Sequence, residues 1–234
     1  MTNFSKRSYQ KELMDDLTSA GSEMKQTLSE LKTVNRLLGG NKVLTSGLSK
    51  IIESYPQSHY DIADIGCGGG DMVRVMCRWA KKNNVSITVH ALDANPNIIA
   101  MAKENLQDLN NVYFHTADVF DDLFSHQKMD IITCTLFTHH FTDDELVKMF
   151  TGFKNRTTLG LIINDLHRHP LAYYSIKYIT QIFSKSQMVK NDGPISVLRS
   201  FKSNDLIRVL KASGWTKYKI LWFWAFRWQV IAYT

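Results

Sequence analysis

The chain has 234 residues, 44% of them hydrophobic and 21% charged, with a formal net charge of +6. That is enough apolar material for one substantial core, with room for one domain and a lid, and the sequence shows no internal repeat or low-complexity tract. The charge excess is modest and its basic residues are scattered, which suits solubility better than a nucleic-acid footprint.

No apolar run reaches membrane-spanning length; the longest, Ile220 to Phe226, is strand-like and too short. The segment from Met1 to Lys11 is polar, unlike a signal peptide. Cys67, Cys77 and Cys134 stand alone, with no paired spacing and no histidine in a metal-ligand arrangement. Reduced thiols in a cytoplasmic protein are expected, and no metal site.

In chain order, Met24, Leu28, Leu31, Val34 and Leu38 recur at helical spacing up to the stop at Gly39-Gly40. Val43, Leu44, Leu48, Ile51 and Ile52 predict a second helix ending before Pro56. Strands are predicted at Asp61–Ile65, Ser86–Leu92, Val112–Thr116, Met129–Thr135 and Thr158–Asn164, with helices starting near Asp71, Pro96 and Thr142. Strands alternating with helices mean βαβ units and a doubly wound, mostly parallel α/β sheet.

Beyond it, Leu171–Phe183 reads as an aromatic-rich helix, Ser186–Ile195 as a mobile loop and Asn204–Ser213 as a helix. Tyr218–Trp224 and Arg227–Tyr233 then alternate as a strand pair, with Trp222, Trp224 and Trp228 expected to pack on the core and the sheet face. The whole chain reads as one domain. Residues 1–56 form a helical cap, 57–166 a cofactor-binding core, 167–203 a lid and acceptor insertion, and 204–234 the closing helix and strands.

The most informative run is Asp61-Ile-Ala-Asp-Ile-Gly-Cys-Gly-Gly-Gly-Asp71, a short strand breaking into glycines and then a helix. Residues without Cβ turn tightly and approach a ligand closely, and the helix N-terminus offers free N–H groups. Acids mark successive strand ends: Asp64 before the loop, Asp93 after the second strand, Asp118 after the third. Ligands of open parallel sheets bind at such ends, and an acid about twenty residues past the glycines is placed for a ribose diol. A dinucleotide site wants a third glycine where this chain has Asp71 or Val73. A loop carrying Asp64 and Asp71 suits a zwitterionic amino-acid tail better than a pyrophosphate.

This pattern resembles the class I S-adenosylmethionine-dependent methyltransferases over Asp61 to about Leu166. The resemblance implies a seven-stranded Rossmann-like sheet closed by an antiparallel pair, with S-adenosylmethionine as cofactor. It implies that Gly66, Cys67, Gly68 and Gly70 lie under the methionine portion with Asp64 beside them. Asp93 would hold the ribose hydroxyls next to Ala94 and Asn95. Asp118 and Val119 would border the adenine, and Leu136 the sulfonium.

A wider resemblance is to small stand-alone bacterial methyltransferases related to those of quinone and phenolic-lipid biosynthesis. It rests on Val34-Asn-Arg-Leu-Leu-Gly-Gly40, the run from Leu166 to Tyr174, Asn191–Arg199 and Trp224–Trp228. It implies an apolar, aromatic or phenolic acceptor lined by Tyr173, Tyr174, Tyr178, Phe183 and Met188.

Methyl transfer to a neutral hydroxyl needs a base, and histidine titrates near neutrality. Imidazoles follow the fourth strand (His139, His140) and the fifth (His167, His169). His167, beside Asp165 and Arg168, is the first candidate base and His140 the second; His139 and Arg168 are candidate acceptor contacts. A nucleic-acid substrate is not expected, because Thr135-Leu-Phe-Thr138 stands where an Asn/Asp-Pro-Pro-aromatic motif would grip a flipped base. A non-catalytic cofactor-binding protein and a homodimer are both left open by these residues.

Overall fold

A computed structural model describes residues 2–121 and 128–234. Among them seven strands form one sheet: β1 (Tyr60–Ile65), β2 (Ile87–Asp93), β3 (Val112–Thr116), β4 (Met129–Thr135), β5 (Thr157–Leu166), β6 (Lys217–Phe223) and β7 (Arg227–Tyr233). Their order is β3-β2-β1-β4-β5-β7-β6, and β7 alone runs against the rest. The doubly wound, mostly parallel sheet is as expected. The order reverses between β1 and β4, so a crevice opens at their carboxyl ends.

Both faces of the sheet are covered, which is why its central strands are apolar along their length rather than alternating. One face packs on α2 (Gly40–Ser54), α3 (Asp71–Lys82) and α4 (Pro96–Asn105) through Leu44, Leu48, Ile51, Val73, Met76 and Ile99. The other packs on α5 (Asp143–Arg156) and α8 (Ser203–Ala212) through Leu146, Phe150, Phe153, Leu206 and Leu210. α5 starts at a capping box, in which Thr142 and Glu145 bond each other's backbone N–H groups.

α1 (Gly21–Leu37) lies above the carboxyl ends of the strands, and α6 (Pro170–Phe183) and α7 (Gln187–Arg199) sit beside it. No helix among the described residues is long and apolar enough to cross a membrane.

Three expectations need correction here. Residues 186–195 are not a loop but the first part of α7, although they include Gly193 and Pro194. Ser186 caps this helix by accepting from Val189 N–H at 3.1 Å. Asp192 accepts from Leu13 N–H and Met14 N–H at 2.8 and 3.0 Å, and Gly193 allows close approach to Ile176 on α6. Burial on several sides thus outweighs the poor helix propensity of Gly-Pro.

The aromatic stripe of α6 is neither acceptor wall nor core. Tyr174, Tyr178, Ile182 and Phe183 are exposed, Phe183 by 76%. Trp222 and Trp224 are exposed too, and only Trp228 packs against the core.

Candidate functional site

The glycine loop is shaped by what surrounds it. Gly66 has φ +68°, and a Cβ there would lie 2.2 Å from the Phe137 ring. Gly70 has φ +80° where it caps α3, and a Cβ there would strike Leu106 at 2.5 Å. No other residue meets both demands without moving a neighbour. Asp93, at the end of β2, ties the loop in place: Oδ2 accepts from Gly68 N–H at 3.2 Å and Oδ1 from Asn95 N–H at 3.0 Å. Leu136, just past β4, is left-handed with φ +51° and donates its N–H to Asn164 O at 2.8 Å. Such strain costs about 1–3 kcal/mol and gathers at functional sites.

These parts surround a cavity of about 500 Å³, within the range of small-molecule sites. Asp64, Gly66, Cys67, Gly68, Asp93, Ala94, Asn95, Asp118, Val119 and Leu136 all line it. Gly70 does not; it supports the loop from behind. Asp71, at the first turn of α3, joins the lining.

The floor of the cavity is acidic. Burial, reinforced by the charges of Asp71 and Asp93, raises the Asp64 carboxyl to about 7, although Thr133 Oγ1 donates to it at 2.6 Å. Burial also raises Asp71 and Asp93. Three crowded carboxyls that resist ionisation alone are a receptor for a cation.

The opposite wall comes from the N-terminal segment and the turn after β4. Tyr9, Met14 and Leu17, with Leu28, Leu31 and Asn35 of α1, roof the cavity, while Phe137, His140 and Phe141 face it from the turn. His140 Nδ1 lies 2.6 Å from Asp15 Oδ1, and Arg199 Nη1 donates to Asp15 Oδ2 at 2.6 Å. Burial alone would raise the Asp15 carboxyl, but the bonds to His140 and Arg199 hold it well below the carboxylate range. His140, Asp15 and Arg199 all line the cavity.

The remaining candidates lie elsewhere. His139 is buried under the turn, with Nδ1 2.7 Å from Asp165 Oδ1 and its backbone N–H on Asp165 Oδ2 at 3.1 Å. Thr138 Oγ1 donates to the same carboxylate at 2.6 Å, so Asp165 pins the turn rather than orienting His167.

His167, the first candidate base, is not at the cavity. It accepts from Trp222 Nε1 at 3.3 Å and packs 4.9 Å from the Trp228 ring, beside β6 and β7. Burial, with the nearby His169 and Arg168, lowers its pKa to about 4. β5 stays paired with β7 as far as Leu166, and His167 N–H then goes to Phe226 O in the turn between β6 and β7 at 2.8 Å, outside the cavity lining, so the role of base is withdrawn from it.

Arg168 is fully buried, donating to Asp205 at 2.9 Å and to the backbone carbonyls of Phe4, Ser5 and Ser200. It ties the chain's start to α8 and does not reach an acceptor. Tyr173 packs edge-on against Phe4 and borders a separate shallow depression. Met188 packs with Met24 and Ile98 behind the cavity wall.

Glu12, Asp15 and Arg199 were missed. Glu12 and Asp15 offered only their charge, Arg199 closed a segment noted for its resemblance without a role of its own, and the fold alone brings the three to the turn after β4. The insertion 167–203 therefore gives the cavity a single lining residue, Arg199, and the cover comes from residues 9–35.

Residues 62–160 match the family model described as a methyltransferase domain. No curated protein sequence matches the chain. Among solved structures, plantazolicin methyltransferase BpumL, in complex with a triazolic desmethylPZN analog and SAH, superposes with a TM-score of 0.67 at 14% identity, over 90% of each chain. Magnesium protoporphyrin IX methyltransferase (ChlM) from Synechocystis PCC 6803 with bound SAH gives 0.57 at 16% identity, over 83% of each chain. The CurJ carbon methyltransferase gives 0.61 at 16% identity, over 82% of this chain and 53% of its own. At these identities the likeness is one of fold. The family match runs from β1 into β5, the stretch that builds the glycine loop and the acidic strand ends, so that stretch is similar to a methyltransferase domain and the chain shares its fold with these enzymes.

Proposed function

We propose that the protein transfers the methyl group of S-adenosylmethionine to a hydroxyl oxygen on a small apolar, aromatic acceptor. In this reading the methionine tail lies over Gly66, Cys67 and Gly68, with its ammonium near Asp64 and Asp71. Asp93 keeps lone pairs for the ribose diol, Ala94 and Asn95 flank it, and Asp118 and Val119 border the adenine. The sulfonium sits beside Leu136, facing the turn that carries His140.

One observation carries the acceptor half: an imidazole held at 2.6 Å by a carboxylate on the cavity wall. With Nδ1–H given to Asp15, the lone pair of His140 rests on Nε2. The acceptor O–H proton passes to that nitrogen, the oxygen forms its bond to the methyl carbon, and the C–S pair returns to sulfur as a neutral thioether. Asp15 stabilises the imidazolium formed. Positioning supplies much of the remaining rate, since the sulfonium is already a good leaving group. Tyr9, Met14, Leu17, Phe137 and Phe141 offer an apolar surface for the acceptor's ring. The fold does not select the acceptor; it hosts many.

The test uses methyl-labelled cofactor and a panel of small phenols, each paired with its analogue lacking the hydroxyl. Label should pass to the phenols and not to the analogues. Transfer to bulk RNA or DNA, or to no member of the panel, would overturn the reading.

A further inference from the structure

Where the turn after β4 meets the N-terminal segment, Glu12, His139 and His140 converge. One donor atom from each lies within 4.8 Å of the other two. Glu12 Oε1 is 3.7 Å from His139 Nε2, in side chains that are each 3% exposed. Glu12 Oε2 accepts from Ser196 Oγ at 2.7 Å, whereas Oε1 makes no hydrogen bond. A buried carboxylate oxygen without a hydrogen bond is unusual, and it leaves a lone pair free for a cation.

Both imidazoles are oriented as ligands commonly are. His139 Nδ1 is held by Asp165 at 2.7 Å and His140 Nδ1 by Asp15 at 2.6 Å. A carboxylate on one ring nitrogen fixes the proton there and directs the other nitrogen's lone pair outward.

Charged groups of both signs surround the cluster. Glu12, Asp15, Asp165, Asp192 and Asp143 face Arg7, Arg199 and Arg208. Arg199 lies 3.6 Å from Glu12 Oε1, but its N–H groups go to Asp15 and to the carbonyls of Gln10, His139 and His140.

We propose that Glu12 Oε1, His139 Nε2 and His140 Nε2 bind one divalent transition-metal ion at the edge of the cavity. Two imidazoles and one carboxylate select zinc, cobalt, nickel or ferrous iron over magnesium and calcium. Three protein ligands leave a position open, as in metal sites that take up a substrate oxygen. His140 lines the cavity, so that position faces the acceptor; this last step rests on the function proposed above. An ion held there would acidify an acceptor hydroxyl bound at its open position, in place of activation by the His140 lone pair.

The experiment titrates chelator-treated full-length protein with cobalt(II), following visible d–d absorption, and repeats it with zinc(II) by calorimetry. Binding of one ion per chain is expected, weakened at least tenfold in Glu12→Gln and in His140→Gln, with magnesium giving no signal. Circular dichroism checks that each variant is folded. His140 is partly exposed, so its variant serves if Glu12→Gln does not fold. Absence of cobalt bands, or equal binding by the wild type and His140→Gln, would overturn the site. Binding without methyl transfer to any phenol would refute the proposed function and leave the metal site standing.

Discussion

The proposed cofactor side of the cavity hangs from neighbouring parallel strands of the sheet, and Asp64, Asp93 and Asp118 sit at or just past three strand ends. Its internal ties span shorter stretches: Asp93 holds Gly68 from 25 positions away and Thr133 holds Asp64 from 69. The proposed acceptor side is assembled from afar. Asp15 reaches His140 across 125 positions and Arg199 across 184. One side is set by the sheet that the hydrophobic core already requires. The other exists only while the N-terminal segment is docked on α7 and on the turn after β4. Damage to the acceptor side should therefore cost catalysis and spare the fold and the cofactor, and damage to the cofactor side should cost affinity.

The sharpest break is His140→Ala. If His140 is the base, kcat for a phenol should fall by about 10²–10⁴-fold, with cofactor affinity unchanged. The loss should shrink for phenols acidified by electron-withdrawing groups. Steady-state kinetics with such a series decides it, and an equal loss across the series would make His140 a positioning residue.

Asp93→Ala probes the other side. It removes the proposed ribose contacts and the tie to Gly68, and charge-assisted hydrogen bonds of about 1.5–3 kcal/mol each predict at least tenfold weaker cofactor binding. Calorimetry reads this directly, and an unchanged Kd would detach Asp93 from the ribose.

A smaller effect follows from Asp64. Its carboxyl is raised to about 7 in the folded chain from an ordinary 3.8, so the native state holds a proton that the unfolded chain releases. Stability of the ligand-free protein should therefore fall as pH rises through that window, and Asp64→Asn should flatten the slope. A cationic cofactor favours the ionised form. Its affinity should rise by up to about tenfold from about pH 6 to about pH 8, with a proton released on binding. Calorimetry in buffers of different ionisation enthalpy measures that proton, and affinity independent of pH would refute a cation resting on Asp64.

The smallest expected effect is that of His167→Ala. With His167 beside Trp222 and Trp228 rather than at the cavity, kcat should change by less than about twofold, as for a surface substitution away from any special feature. A hundredfold loss would return the base to the end of β5.

The asymmetry between the two sides also explains what the chain revealed before folding. Glycines at 66, 68 and 70 and acids at 64, 93 and 118 obey local rules, because strand ends and the turns after them are close in sequence. The seven strands followed from apolar runs, with boundaries within a residue or two. Both His167 and His140 follow a strand that ends at the crevice side of the sheet, and local sequence favoured His167 because Asp165 and Arg168 stand beside it. β5, however, runs on to Leu166, paired with Arg227 of β7, and carries His167 beyond the cavity. Residues 186–195 misled for a related reason: Gly193-Pro194 signals a break locally, and only contacts with Leu13, Met14 and Ile176 make it helix.

That Glu12 and Asp15 both belong to the first seventeen residues has a consequence for how such an enzyme changes over time. The segment adds a wall and two carboxylates while contributing no strand to the sheet and no residue to either large hydrophobic cluster. Its cavity-facing side chains Tyr9, Met14 and Leu17 can be recoded with less risk to folding than strand residues, as long as the bonds to Asp192 and Arg168 are kept. Acceptor preference and stability can then drift independently, so libraries confined to residues 9–17 should yield altered specificity at a higher rate than libraries in the strands.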